Sequence, residues 1–237
     1  NMKNILVTGC SKGIGFEIVK VFAKRSDIRV LAVSRDQIGL NKLEIECIKI
    51  NQEFNVYTMS VDLSKSESID QIIQYVKIEF QGILDGVIHN AGFLVNKKFE
   101  NISIEELEYS FKVNSFAPFI LTQRLIPFLN KKAHILSISS MGGIQGTQKF
   151  PGLSAYSTSK STLITLTECL AEEYKMSDLY FNCLALGAVQ TEMLTKAFPD
   201  YKAPIKSHEM GEFIFDFFIN GFKYFNGQVI PVSLTTP

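Results

Sequence analysis

The sequence predicts an α/β protein built on a doubly wound parallel sheet of about seven strands, with helices on both faces. Two observations carry that prediction. Short apolar runs alternate with stretches of helical periodicity along all 237 residues. The first run, Ile5-Leu6-Val7, leads directly through a glycine turn into a helical pattern of Phe16, Ile18, Val19, Phe22 and Ala23. Right-handed crossovers then place ligands at the carboxyl ends of the strands.

Taken in order, strands are predicted near 3–8, 28–33, 54–61, 84–89, 133–139, 180–185 and 228–232. Helices are predicted near 13–25, 37–50, 66–81, 103–129, 155–175 and 208–220. No repeat, low-complexity segment or linker interrupts the pattern, so a single domain over 1–237 is expected.

Composition narrows the function. Hydrophobic residues make up 46% of the chain, enough for a buried core. Basic and acidic side chains number 24 each, which gives no electrostatic case for nucleic acid or an anionic membrane. No run reaches transmembrane length and no signal peptide precedes the first strand, so a cytoplasmic protein is expected. Cys10, Cys47, Cys169 and Cys183 and the three histidines are too dispersed to predict a metal site, and the thiols read as reduced. Cys10 is either a thiol activated by a helix N-terminus or, more simply, a small residue filling the turn. His89 and His134 lie in or beside strands and read as structural.

The turn is Thr8-Gly9-Cys10-Ser11-Lys12-Gly13-Ile14-Gly15. Glycines admit positive φ and close approach of a ligand, and the first turn of a helix offers unpaired N–H groups to a pyrophosphate. After the second strand comes Ser34-Arg35-Asp36, where the adenosine ribose of a dinucleotide would lie. Arg35, with Lys12 nearby, suits a 2′-phosphate. Asp36 argues against one unless it turns away to cap the next helix.

Asp62, in Val61-Asp62-Leu63-Ser64, suits an adenine amino group, and Ser64 or Ser66 is expected to cap the following helix. Asn90-Ala91-Gly92 ends the fourth strand; Asn90 can brace neighbouring backbone and Gly92 permits close approach. Asn114 sits in a helical pattern that Pro118 must distort, because proline removes a donor and clashes with the Asn114 carbonyl. That carbonyl is then either free for water or merely part of the irregularity.

The fifth strand delivers Ser139-Ser140, and Tyr156-Ser157-Thr158-Ser159-Lys160 follows a loop. Tyr156 and Lys160 share one helix face. An ammonium about 5 Å from a phenol is worth about 3 kcal/mol at an effective dielectric near 20. A tyrosine pKa of about 10 is therefore expected to fall by roughly two units, toward a general acid or base.

This constellation resembles the short-chain dehydrogenase/reductase family in its single-domain, Rossmann-like form. The matching pieces are Thr8–Gly15, Asp62, Asn90-Ala91-Gly92, Asn114, Ser140, Tyr156-x-x-x-Lys160 and Gly187–Thr191, in family order along nearly the whole chain. The resemblance implies a nicotinamide cofactor and a carbonyl or alcohol substrate. It makes Tyr156 the proton donor, Lys160 its pKa-lowering partner and a ribose ligand, Ser140 a hydrogen-bond donor to the substrate oxygen, and Asn114 the holder of a water linking Lys160 to solvent. Ser140 is preferred to Ser139 because Gly143 and Gly146 follow at the family's spacing. Cofactor contacts are implied for Gly9, Ser11, Lys12, Gly13, Ile14, Gly15, Arg35, Asp62, Leu63, Asn90, Ala91, Gly92, Tyr156, Lys160, Gly187, Val189 and Thr191.

Three features depart from the family. The Ser140–Tyr156 loop is a few residues longer, Leu186 stands where a proline precedes Gly187, and the C-terminal end lacks Asp-Gly-Gly. The expected protein is an NADP(H)-dependent carbonyl reductase, with NADP(H) preferred over NAD(H), acting on a small apolar substrate. Its pocket cover is expected at 191–207, with Met193, Leu194, Phe198 and Tyr201 inward, and Phe93, Leu94 and Phe150 adding to it. Leu163, Leu166, Leu170, Phe111 and Phe119 are expected to pack helices against their copies in a homodimer or homotetramer. The alternatives are a non-catalytic NADP(H)-binding regulator on the same fold, and an epimerase or dehydratase using the same Tyr-Lys pair, which is expected less because such relatives usually carry a larger C-terminal substrate domain.

Overall fold

Apolar side chains on both faces of a strand stay dry only if helices cover both faces. β1 (Lys3–Thr8) meets that condition, with Ile5, Leu6 and Val7 all buried. In the computed structural model, which describes residues 2–234, β1 belongs to a parallel sheet with β2 (Ile28–Ser34), β3 (Asn55–Ser60), β4 (Leu84–His89), β5 (Leu129–Ser140) and β6 (Tyr180–Leu186). Two-residue strands β7 (Val189–Gln190) and β8 (Ile205–Lys206) pair separately, and β9 (Val229–Val232) completes the seven-stranded sheet in the order β3-β2-β1-β4-β5-β6-β9. The winding reverses between β1 and β4, which opens a crevice at their carboxyl ends.

The helices are α1 (Gly13–Phe22), α2 (Gln37–Ile50), α3 (Ser66–Ile78), α4 (Ile104–Phe111), α5 (Ala117–Leu125), α6 (Ser154–Glu173), α7 (Glu192–Ala197) and α8 (Ser207–Asn220). One core joins Phe22, Leu40, Leu43, Ile214 and Phe218 to one face of the sheet. The other joins Ile69, Ile72, Leu121, Leu125 and Phe181 to the opposite face. The predicted doubly wound architecture is therefore the observed one.

Several local expectations are corrected. The helix expected over 103–129 is α4, a π-helical segment Lys112–Phe116, α5 and a 3-10 turn Ile126–Phe128. Ala117 N–H bonds back to Lys112 O, five residues away. Pro118 has no N–H to return to the Asn114 carbonyl, so the widened turn falls where proline forces it. β5 starts at Leu129, ahead of the expected 133. Neither Ser64 nor Ser66 caps α3; Lys65 holds the cap position without a side-chain bond, and Asp62 Oδ1 accepts the Ser64 N–H at 3.0 Å. Leu163, expected on an outward face, is 1% exposed, and Leu170 packs on the core.

Candidate active site

The glycine turn is shaped by what surrounds it. Gly9 and Gly13 have φ of +76° and +61°, and a Cβ on Gly9 would lie 2.7 Å from Ala91 Cα. A Cβ on Gly15 would lie 2.2 Å from Gly9 O, so only glycine lets α1 approach β1 this closely. Asn90 braces the turn, its Nδ2 donating to Thr8 O at 3.1 Å and Gly9 O at 3.0 Å. Thr8 Oγ1 accepts the N–H groups of Asn90 and Ala91. No side chain caps α1, which leaves its first-turn N–H groups facing the crevice mouth as an anion site.

A cavity of about 590 Å³ runs from this turn along the carboxyl ends of the strands. Every site residue predicted from sequence lines it except Gly15, which lies behind the turn, and Asn114. Asn114 is fully buried. Its Oδ1 accepts the Phe93 N–H at 2.8 Å, and its Nδ2 donates to Phe93 O at 2.8 Å and Ser159 Oγ at 2.9 Å. It thus clamps the loop after β4 to α6. A Cβ on Gly92 would lie 3.3 Å from Lys160 Nζ and 3.7 Å from Asn114 Oδ1, so the three residues meet at one point.

α6 brings Tyr156 and Lys160 to the wall beside Ser140. Lys160 Nζ is buried and donates to Ile138 O at 2.8 Å, while Ser139 Oγ donates to Lys160 O at 2.8 Å. Ser139 is therefore occupied in fixing α6. Ser140 faces the cavity, accepts the Gly142 N–H at 3.3 Å and hydrogen-bonds Tyr156.

The expectation of a phenol pulled below 10 is corrected. Burial pushes Tyr156 up to about 12, against the Ser140 hydrogen bond. Burial likewise pushes Lys160 down to about 8. Loss of hydration outweighs the attraction assumed from spacing alone.

At the other end of the cavity, Asp36 turns away, its Oδ1 accepting the N–H groups of Ile38 and Gly39 as the cap of α2. Arg35 reaches across to the Tyr109 hydroxyl, and that hydroxyl donates to Asp62 Oδ1 at 3.5 Å. Burial alone would raise the Asp62 carboxyl, but the Ser64 bonds and the Arg35 charge hold it below its usual range. Lys12 pairs with Glu192 of α7 at 3.1 Å, both well exposed, so the pair is loosely held. Cys10 is buried and its thiol is pushed up, which settles it as a filler of the turn.

The cover at 191–207 contains α7 and β8, both too short to show periodicity. Thr191 caps α7 through Leu194 N–H at 3.2 Å and approaches Gly13. Gln190 Oε1 accepts the Ala203 N–H at 2.8 Å, and Asn96 donates to Ala197 O at 2.7 Å. Met193, Leu194, Phe198 and Tyr201 line the cavity with Leu94, Phe150 and Leu153. Phe93 does not; its ring meets Tyr109 edge-on at 4.8 Å. A Cβ on Gly187 would lie 2.2 Å from Ser233 Oγ, so glycine remains obligatory beside Leu186 even without the proline. Sequence reading missed Tyr109 and Glu192, whose partners lie 74 and 180 residues away with no local signal.

The short chain dehydrogenase family model matches residues 3–202. The Escherichia coli oxidoreductase YciK is 32% identical over 206 residues, covering 84% of this chain and 78% of its own length. Benzil reductase IRC24 of Saccharomyces cerevisiae is 28% identical over 197 residues, covering 81% and 73%. Among solved structures, a Burkholderia cenocepacia short chain dehydrogenase in complex with NADP superposes with a TM-score of 0.85 at 20% identity, over 98% of this chain and 96% of that one. 4-Hydroxyisoleucine dehydrogenase complexed with NADH superposes at 0.82 and 23%, over 98% and 97%. These likenesses show the fold. The chain belongs to the short-chain dehydrogenase/reductase family and is an NAD(P)-dependent oxidoreductase. Among the described residues, no helix is long and apolar enough to cross a membrane.

Proposed function

We propose that this protein is a cytoplasmic, single-domain NADP(H)-dependent reductase that converts an apolar ketone or aldehyde to an alcohol. The observation that carries this reading is the shared cavity wall of Ser140, Tyr156 and Lys160, opposite an otherwise largely apolar lining. The glycine turn, with its uncapped helix N-terminus, fits a pyrophosphate, and the cavity beyond it fits the rest of a dinucleotide. Lys12, Ser11, Gly13 and Ile14 would hold the phosphates; Arg35, Asp62, Leu63 and Ala91 the adenosine; Lys160, Gly187, Val189 and Thr191 the nicotinamide half. When bound, the cofactor supplies the hydride.

Tyr156, held protonated, donates its proton to the substrate oxygen, which the Ser140 hydroxyl orients. Lys160 places a cation beside the proton's source, fixed by Ile138 O. Asn114, by clamping Phe93 to α6, holds the floor on which Lys160 and Gly92 meet. The apolar cover selects uncharged, hydrophobic carbonyl compounds, a class that includes the one named for the yeast relative.

Cofactor preference follows from charge. Asp36 is engaged as a helix cap, whereas Arg35 lines the cavity. A guanidinium–phosphate contact is worth about 1.5–3 kcal/mol, so Arg35→Ala should weaken NADPH binding by roughly one to two decades and leave NADH nearly unchanged. A panel of ketones, quinones and β-ketoacyl thioesters followed by NADPH absorbance tests the activity. Tight NADPH binding without turnover across the panel would favour a regulatory role instead.

A second copy of the chain is proposed to cover the α5–α6 surface. Phe116 and Phe119 are 54% and 51% exposed there, beside a groove lined by Ile120, Thr162 and Leu166. Light scattering should show a homodimer or homotetramer, and a monomer at micromolar concentration would count against it.

A further inference from the structure

We propose that Tyr109 is a positioning residue for cofactor choice: bonded at once to Arg35 and Asp62, its hydroxyl holds the Arg35 guanidinium at the adenosine rim of the cavity, where it meets a 2′-phosphate. This rests on the NADP(H) reading above and adds a residue that the sequence motifs do not contain.

Arg35 leaves the end of β2 as an exposed side chain, with its guanidinium on the cavity rim. Among the described residues it makes no ion pair, whereas Lys12, the other cation at this end, is paired with Glu192. Its partner is Tyr109 of α4, which accepts from Nη1. A guanidinium carries five N–H donors, so one bond to Tyr109 leaves the fork available to an anion. The Tyr109 hydroxyl uses its own proton toward Asp62 Oδ1 at 3.5 Å, which fixes the direction of both bonds. Burial, with the Asp62 charge, keeps that phenol protonated and able to donate.

Tyr109 is itself held. Its ring stands edge-on to Phe93 with an interplanar angle of 86°, and the Asn114 amide clamps the Phe93 backbone on both N–H and C=O. A chain of contacts therefore runs from α6 through Asn114, Phe93 and Tyr109 to Arg35. A free arginine would lose its side-chain freedom on meeting a phosphate; one already held loses less, and preorganisation of this kind appears as affinity.

The test is a cycle of four proteins: wild type, Tyr109→Phe, Arg35→Ala and the double variant, each titrated with NADPH and NADH. Tyr109→Phe keeps the ring against Phe93 and removes only the hydroxyl. It should weaken NADPH about three- to tenfold and leave NADH unchanged. Against the Arg35→Ala background the same change should cost nothing. Unchanged NADPH affinity in Tyr109→Phe, an equal loss for both cofactors, or a loss that persists without Arg35 would each overturn the proposal. If Arg35→Ala shows no selective loss, the NADP(H) reading fails first, and this inference with it. A selective loss in Arg35→Ala beside an unchanged Tyr109→Phe removes the role of Tyr109 alone.

Discussion

Lys160 Nζ lies 2.8 Å from the carbonyl oxygen of Ile138, so this charged side chain of α6 is tied to the strand that ends in Ser140. One neutral acceptor is little compensation for a buried ammonium. Burial has lowered Lys160 from 10.5 to about 8. Below pH 8 it is charged both in the folded chain and in the unfolded one, and the folded state bears the full penalty, on the order of 3 kcal/mol. Between about 8 and 10.5 the unfolded chain holds more protons, so this penalty is relieved as pH rises. Lys160→Met should abolish turnover, weaken cofactor binding and yet raise the melting temperature at pH 7. A lower melting temperature would show that the lysine's contacts outweigh its desolvation.

Tyr156→Phe separates chemistry from binding. Only the hydroxyl is removed from a side chain on the cavity wall, so cofactor affinity should persist while turnover falls by at least about a hundredfold. Near-normal turnover would mean that another group supplies the proton.

Acid should unfold the protein through its two buried histidines. His134 has Nδ1 at 2.9 Å from Phe218 O and Nε2 at 3.1 Å from Asn182 Nδ2. The first contact needs a proton on Nδ1 and the second needs Nε2 bare, so the neutral tautomer is fixed. Burial lowers His134 from 6.5 to about 4; burial and then the Lys160 charge lower His89 to about 4 as well. Their folded pKa values lie below the unfolded ones, so stability is lost as pH falls from about 6.5 to 4. Urea denaturation at pH 7, 6 and 5 should give a falling midpoint, and His134→Gln should flatten that fall. A pH-independent midpoint would exclude both histidines as its source.

Much of this was legible in the sequence, because strand–turn–helix order and buried apolar runs are local signals. Thr8–Gly15 announces itself through its glycines: Gly9 and Gly15 crowd nearby backbone atoms, and Gly9 and Gly13 hold positive φ. Pro118 likewise declares the distortion of its helix, although not that the distortion takes the form of a π turn at Lys112–Phe116. Asp36 left two readings open, and only the bonds to Ile38 and Gly39 decide between them. Tyr109 and Glu192 were invisible because their partners come from distant strands and turns. The Tyr156 ionisation was misjudged for a related reason. Spacing along a helix gives the distance between two charges, but the desolvation that governs both is set by the sheet and loops packed around them.

The last prediction concerns Asn90, which lines the cavity and also braces the turn beside it. Its Nδ2 serves two carbonyl oxygens of the glycine turn, Thr8 O and Gly9 O, and Gly9 O is the same atom that a Cβ at position 15 would strike. The turn is thus held between a donor on one side and a helix on the other. Asn90→Ala leaves two partly buried acceptors without that donor, which should cost about 1–3 kcal/mol of stability and loosen the pyrophosphate site. Asn90→Asp keeps the size of the side chain but offers oxygen to oxygen, and it adds a negative charge where phosphates would sit. If the amide acts by donating, Asp should be worse than Ala for cofactor affinity under low salt, and the gap should narrow as salt rises. Calorimetric titration of both variants with NADPH at two ionic strengths gives the answer. Equal affinities for the two, or an aspartate variant that binds as tightly as wild type, would mean that the turn keeps its shape without Asn90.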